Sequence, residues 1–256
     1  MTKRIRIPAS CQIYLDAVYD AAQDKFDIVN YACVQNETFP APWAYWKMEE
    51  TSGTRIDSTG NDRHLTLEYP VYDPAYDTGI LGNAVKFIMN QMDAYVLWID
   101  NGLSLGEPQQ FTVAFWFKGI DITPGDNSLL EIVLGSGPVI DIWDSGNATN
   151  CAICIYARQT ADIDTEVTLD WTDWHLFILE YDGTNLKLYL DNALIATTGI
   201  PNYYDFPYDI TITGGSLQGS GVDGDCYIDE MGIWLLALTA DQRDQLWNGG
   251  AGWSPY

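Results

Sequence analysis

Positive charge is scarce in this chain. Lysine and arginine together number 12 against 36 aspartates and glutamates, a formal net charge of −24 at neutral pH. A protein so acidic repels polyanions and anionic membranes at long range, so nucleic acid is not expected as a partner. Long apolar runs are missing as well. None approaches the ~18 residues of a membrane span, and no membrane insertion is expected. The opening residues MTKRIRIPAS carry basic charges with no apolar stretch after them, so a soluble cytoplasmic chain without a secretory signal is expected. Histidine is rarer still, with only His64 and His175. The five cysteines, an odd number, make no disulfide framework in 256 residues. Cys151 and Cys154 lie in the strand-like CAICIYA, where they point to opposite faces, which is wrong for a shared metal. Buried thiols are expected instead of zinc. A phosphate loop is absent: Gly214-Gly215-Ser216 and Gly219-Ser220-Gly221 lack a lysine and precede a strand pattern rather than a helix.

Aromatic residues, by contrast, are abundant, with 10 Trp and 16 Tyr. They suit sheets and stacking surfaces. The stretch from Trp171 to Thr197 reads as three antiparallel strands. Trp174 to Tyr181 is apolar on both alternation phases, which predicts a strand covered on both faces. Asp182-Gly183-Thr184-Asn185 supplies a turn, Leu186 to Asp191 alternates with period two, and Asp191-Asn192 turns the chain again into Ala193 to Thr197.

Other strands are expected at Ala44–Met48, His64–Leu67, Asn83–Ile88, Ala94–Ile99, Phe111–Phe117, Leu129–Leu134, Val139–Trp143, Ala152–Ala157 and Asp225–Leu235. Phe111–Phe117 is the most continuous apolar run and is expected at a sheet centre. Short strands at this spacing predict an all-β, two-sheet antiparallel sandwich. One short C-terminal helix is expected, with Thr239 as its cap, Gln242 completing a capping box and Gly249-Gly250 ending it.

Residues 1–41 stand apart from the domain at 42–256. Lys3, Arg4 and Arg6 gather at the tip, and Tyr14, Ala17, Val18 and Ala21 fall at helical spacing. The joint FPAPW (Phe39 to Trp43) follows. The segment reads either as a further strand with an irregular terminus or, preferred here, as an arm whose basic tip docks on an acidic partner.

From about Trp43 to Gly250 four pieces follow in order: YWKMEETSGTRIDSTGNDRHLTL, LGNAVKF, FTVAFWFKG, and the pair WHLFILEYDGTNLKLYLDNALIA and YIDEMGIWLLALTADQRDQLWNGG. Together they resemble the LamG-like, concanavalin A-like jelly rolls. The resemblance implies a jelly-roll fold and leaves the ligand open, because the superfamily includes lectins, carbohydrate-binding modules, adhesion domains and glycosidases. The ending WNGGAG and the N-terminal arm also resemble such domains on bacteriophage tail and capsid-surface proteins. That likeness implies a virion-surface location and docking of residues 1–41 on other virion proteins, with homo-oligomers also conceivable.

Catalysis is not expected. Family enzymes of the laminarinase type carry a Glu-x-Asp-x-Glu strand. Here Asp141-Ile142-Trp143-Asp144 lacks both glutamates, and Asp162-Ile163-Asp164-Thr165-Glu166 has Asp in the first position and sits in an apparent polar connection. His175 lies in a central-strand pattern, where a structural role is expected. The resemblance further implies a structural Ca2+ held by Asp57 and Asp229, with Glu230 and carbonyls near Gly82 as further participants. The alternative is that Asp57 makes an Asx-turn and Asp229 a buried hydrogen bond. Rings beside carboxylates suit a glycan, which places candidate contacts at Tyr203, Tyr204, Asp205, Tyr208, Tyr72 and Tyr76. Aromatic loops are also often lids over the sandwich ends, and that is the alternative. The expected function is a non-enzymatic, glycan-binding virion surface protein; a purely structural decoration protein is the alternative.

Overall fold

The computed structural model describes residues 11–20, 25–35, 39–67, 74–88, 94–98, 110–120, 128–134, 139–147, 150–157, 160–168, 170–199, 209–214 and 225–256. The chain divides into two compact units, Met1–Pro40 and Ala41–Tyr256. In the first, β1 (Cys11–Asp20) and β2 (Lys25–Gln35) form an antiparallel hairpin with an irregularity between Asp16 and Ala17. The helical spacing of Tyr14, Ala17 and Val18 is not realised, since all three lie in β1. Ile13, Tyr14, Val18 and Tyr19, paired with a β2 holding Phe26, Ile28, Val29 and Tyr31, favour a pleated surface over a helix. Lys3, Arg4 and Arg6 lie outside the described residues.

The second unit is the expected two-sheet sandwich. Numbered in chain order, one sheet runs β12 (Thr160–Thr168), β11 (Asn150–Ala157), β10 (Val139–Asn147), β9 (Ser128–Leu134), β16 (Asp209–Gly214), β7 (Ala94–Trp98) and β4 (Thr66–Leu67). The other runs β15 (Ala193–Gly199), β14 (Asn185–Leu190), β13 (His175–Tyr181), β8 (Phe111–Ile120), β17 (Asp225–Trp234), β6 (Asn83–Phe87) and β5 (Ala75–Thr78), with β3 (Ala44–Trp46) also paired to β17. All described pairings are antiparallel.

Alternation decides what faces the core. Phe111, Val113, Phe115 and Phe117 of β8 join Leu130, Ile132 and Leu134 of β9, Ile140 and Ile142 of β10 and Ile210 and Ile212 of β16 in one buried cluster. The other phase of the eight-stranded sheet is apolar too, and the C-terminal segment covers it. Helix α1 (Ala240–Trp247) lays Trp247 flat on Trp116, with ring centroids 5.4 Å apart and planes 14° from parallel. Hence every residue of β13 is buried, on both phases. The helix has the expected capping box between Thr239 and Gln242, and its left-handed cap is Asn248 (φ 47°), followed by Gly249 (φ 63°).

Turn chemistry sets the meander's register. Asp191 (φ 49°) and Asn192 (φ 64°) form the two-residue turn between β14 and β15, both at the positive φ that a type I′ turn needs. Asp191 Oδ1 accepts from Leu176 N (3.0 Å) and Oδ2 meets His175 Nδ1 (2.7 Å). His175 Nε2 reaches the Asp170 carbonyl (2.8 Å), so the ring staples two turns, the structural role expected of it. Residues 162–166 are not a connection: they lie within edge strand β12. Ile163 and Val167 pack on the core, and Asp164 and Glu166 face solvent. Polar side chains on the outward phase of an edge strand disguised the alternation.

Candidate binding site

Strand β17 changes partners midway, and the functional candidates Asp229 and Glu230 sit at that change. Its residues 226–228 pair with β6 and residues 231–233 with β3, while the opposite edge stays on β8. The register against β8 slips between Asp229 and Gly232, a bulge that puts Glu230 at φ 47°. Asp229 is fully buried. Its Oδ2 accepts from Leu81 N (3.1 Å) and its Oδ1 from Glu230 N (2.8 Å). Burial, reinforced by the Glu230 charge and opposed by backbone N–H groups, pushes the Asp229 carboxyl up to about 8. Glu230 accepts from Tyr45 Oη at 2.5 Å. Burial raises the Glu230 carboxyl, against the pull of Tyr45 and Ser254, and raises the Tyr45 hydroxyl as well.

Asp57 is engaged elsewhere. Oδ1 accepts from Tyr45 N (3.1 Å) and Thr59 N (3.0 Å), and Oδ2 from Thr59 Oγ1 (2.6 Å) and Arg63 N (3.2 Å). A carboxylate has about four lone-pair sites, so three donors from its own loop and one from β3 fill Asp57. The turn beside Gly82 does reach Asp229: Gly79 N donates to Gly82 O (2.9 Å), presenting Leu81 N to the carboxylate. Glu49, which accepts from Asn83 N (3.0 Å), lies against Gly82. A calcium ion shared by Asp57 and Asp229 would have to take the place of at least one of these Asp57 donors. Among the described residues no group of three or more His, Cys, Asp or Glu side chains is set to hold a metal.

A second set of candidates emerges only from strand pairing. On the outward phase of the seven-stranded sheet, Asp141 of β10 is paired with Glu131 of β9 and with Cys154 of β11, which is paired with Asp164 of β12. Thr213 of β16 continues the row beyond Glu131. Directly opposed residues stand ~4.5–5.5 Å apart at Cβ, so Glu131 and Asp141 place two carboxylates side by side. Trp143, two residues along β10 on the same face, is half-buried like both acids. A ring face for C–H groups beside paired carboxylates for hydroxyls is the chemistry of a sugar site. Neither segment, LLEIVL nor VIDIW, shows this alone; the signal was the outward phase of each, which a hairpin brings together.

Of the expected glycan contacts, Tyr76 lies in edge strand β5 and is 51% exposed. Tyr72, Tyr203, Tyr204, Asp205 and Tyr208 lie outside the described residues. Asp164 and Glu166 face outward from an edge strand, as a solvated acidic edge does, and only the strand placement of Asp162 is described.

Residues 90–242 match the family model of the concanavalin A-like lectin/glucanases superfamily. The chain belongs to that superfamily. Its fold is similar to the binding domain of botulinum neurotoxin serotype D, at 12% identity and a TM-score of 0.60, over 82% of this chain and 52% of that one. The binding domain of botulinum neurotoxin DC in complex with SialylT gives 14% and 0.59, over 82% and 51%. The same domain in complex with rat synaptotagmin II gives 14% and 0.60, over 83% and 52%. The chain thus spans about half the length of these structures, and at such identities the likeness concerns the fold. No curated protein matches the sequence. Among the described residues no helix is long and apolar enough to cross a membrane.

Proposed function

We propose that this superfamily member is a non-enzymatic, lectin-like recognition module that binds glycans, carried on a virion surface with residues 1–41 docking on other virion proteins. The observation that carries the glycan reading is the outward face of β9 and β10, where Trp143 stands beside the paired carboxylates Glu131 and Asp141. One fold neighbour is a binding domain in complex with SialylT, which supports a saccharide as ligand. The virion setting draws its support from the WNGGAG ending and the separate N-terminal unit.

A screen of the full chain against host and environmental polysaccharides, with calcium and with chelator, tests the reading. Binding is expected to be saturable and lost in Trp143→Ala, in Tyr203→Ala or in Tyr204→Ala, with the melting temperature nearly unchanged. Chelator sensitivity would assign Asp229 to a cation despite the filled Asp57 carboxylate. Release of reducing ends from a bound glycan, abolished by Glu131→Gln, would overturn the non-enzymatic part. A folded, monodisperse protein that binds no glycan would instead be a structural decoration protein.

A further inference from the structure

The outward phase of the eight-stranded sheet carries a row of a different kind, beyond the area covered by α1. Lys118 of β8 is paired with Tyr227 of β17, Tyr227 with Lys86 of β6, and Lys86 with Ala75 of β5. On the other side, Phe117 is paired with His175, which sets the preceding Trp174 beside Lys118. The row therefore alternates ring, cation, ring, cation over neighbouring strands. Trp174 and Tyr227 meet edge to face at 6.2 Å. The Lys118 ammonium lies 6.0 Å from the Trp174 ring centre and 5.8 Å from that of Tyr227. The Lys86 ammonium lies 5.4 Å from Tyr227 and 2.6 Å from an Asp225 oxygen.

Two properties make this row more than packing. In a chain with 36 acids to 12 bases, a lysine without a carboxylate partner among the described residues is against the odds. Yet among the described residues the contacts of Lys118 are rings, and no carboxylate pairs with it. Its charge is thus concentrated where the rest of the surface is acidic, and it remains half-exposed. Trp174 is also only partly buried, so an apolar ring and an ammonium set between two rings are presented together. Tyr227 is buried and Lys86 is held by Asp225, so the accessible pair is Trp174 and Lys118, neighbours across one inter-strand spacing of about 5 Å, which is the span of a pyranose ring and its carboxylate.

We propose that this row binds an acidic saccharide, with the sugar's carboxylate at Lys118 and a C–H face of a pyranose on Trp174. The site is on the sheet opposite to Trp143 and stands independently of the glycan reading given above. A neutral sugar would leave the Lys118 charge unused, and an inorganic anion would leave the ring unused.

Titration calorimetry of the full chain with trigalacturonate and with a hyaluronan tetrasaccharide, each against its neutral methyl ester, tests the proposal. Both acids are expected to bind about tenfold more tightly than their esters, and more weakly as salt rises. Lys118→Gln and Trp174→Ala are each expected to weaken acid binding by about tenfold or more, and Lys118→Gln to leave the melting temperature unchanged. Equal affinity for acid and ester, an unaffected Lys118→Gln variant, or no binding of either acid would overturn it. A poly-glutamate peptide binding as tightly, with the same dependence on both residues, would make the partner an acidic protein and overturn the saccharide. Acid binding lost in Trp143→Ala but kept in Lys118→Gln would also overturn this site while leaving the glycan function standing; the reverse pattern supports it.

Discussion

Arg243 ties α1 to the sheet alongside the Trp247–Trp116 stack, and replacing it with methionine isolates its contribution. Its Nη1 donates to Glu180 Oε2 (2.7 Å) and to the Leu238 carbonyl (2.6 Å), and its guanidinium carbon lies 4.1 Å from the Tyr189 ring centre. Glu180 is 2% exposed, and its other cation is Lys187 at 3.3 Å. Breaking a buried ion pair by removing one partner costs about 3–5 kcal/mol. Two features lower that figure here. Lys187 stays on Glu180, and the buried Arg243 Nε already lacks a hydrogen-bond partner, a cost that the variant relieves. Arg243→Met should therefore destabilise by about 2 kcal/mol, or about 4–8 °C in melting temperature for a domain of this size. Urea unfolding of the wild type, Arg243→Met, Glu180→Gln and the double variant forms a cycle, in which a coupling of about 1–2 kcal/mol is expected. A variant within about 0.5 kcal/mol of wild type, or a coupling near zero, would refute the assignment of Arg243 as the clamp.

Other perturbations read other parts of the fold. Both nitrogens of His175 face acceptors, so the imidazolium is the form that satisfies both; burial draws its pKa down, but Asp191 and the Asp170 carbonyl outweigh burial and leave it raised. A raised folded-state pKa gives stability that is fully present below the unfolded value of ~6.5 and is lost as pH rises through the folded one. The unfolding free-energy difference between wild type and His175→Gln should accordingly be larger at pH 6 than at pH 8, and an equal difference at both would exclude the charged staple. At Gly232 an added Cβ would come 2.5 Å from Trp234 Cη2 and 2.6 Å from Tyr45 Cδ2, both buried rings. Gly232→Ala should cost about 1–3 kcal/mol by urea titration, and a neutral result would mean that the rings over the bulge are loosely packed. Thr239→Ala removes the capping box and should cost about 1 kcal/mol, with Thr239→Ser retaining most of it.

What was legible in the sequence follows from the range of the interactions involved. The meander could be read because its determinants are local: Leu186, Leu188 and Leu190 alternate, and Asp191-Asn192 accepts positive φ. Thr239 and Gln242 announced the helix for the same reason. The apolar character of β13 on both phases told that a cover existed, but not that Trp247 and Arg243 supply it, since that pairing joins residues far apart in the chain. In the N-terminal unit, the helical spacing of Tyr14, Ala17 and Val18 gave way to strand-favouring neighbours and to the pairing partner β2, which a single segment does not reveal. The site residues were the least legible. Asp57 and Asp229 are both buried carboxylates, as a metal pair would be, yet their hydrogen bonds go to different backbone segments. Glu131 and Asp141 become neighbours only once β9 and β10 are paired.

The two outward faces bear on function because the sandwich resolves them so differently. One phase of the eight-stranded sheet is sealed by the chain's own C-terminal segment, with Trp247 on Trp116 and Arg243 on Tyr189, and that area is unavailable to a ligand. At the end of the same sheet the cover gives way to Trp174 and Lys118, where the exposed charge is positive. On the seven-stranded sheet the corresponding phase holds Glu131, Asp141, Asp164 and Trp143, where the charge is negative. Both surfaces combine a ring with a charge, so both suit carbohydrate, but they select opposite ligands. Hydroxyl-rich neutral sugars donate to carboxylates, and acidic sugars accept from an ammonium. If both surfaces are binding surfaces, salt should separate them: binding at the lysine row weakens as ionic strength rises, and binding at the Trp143 face holds nearly constant. A single ligand displaced from both faces by one set of substitutions would contradict that division.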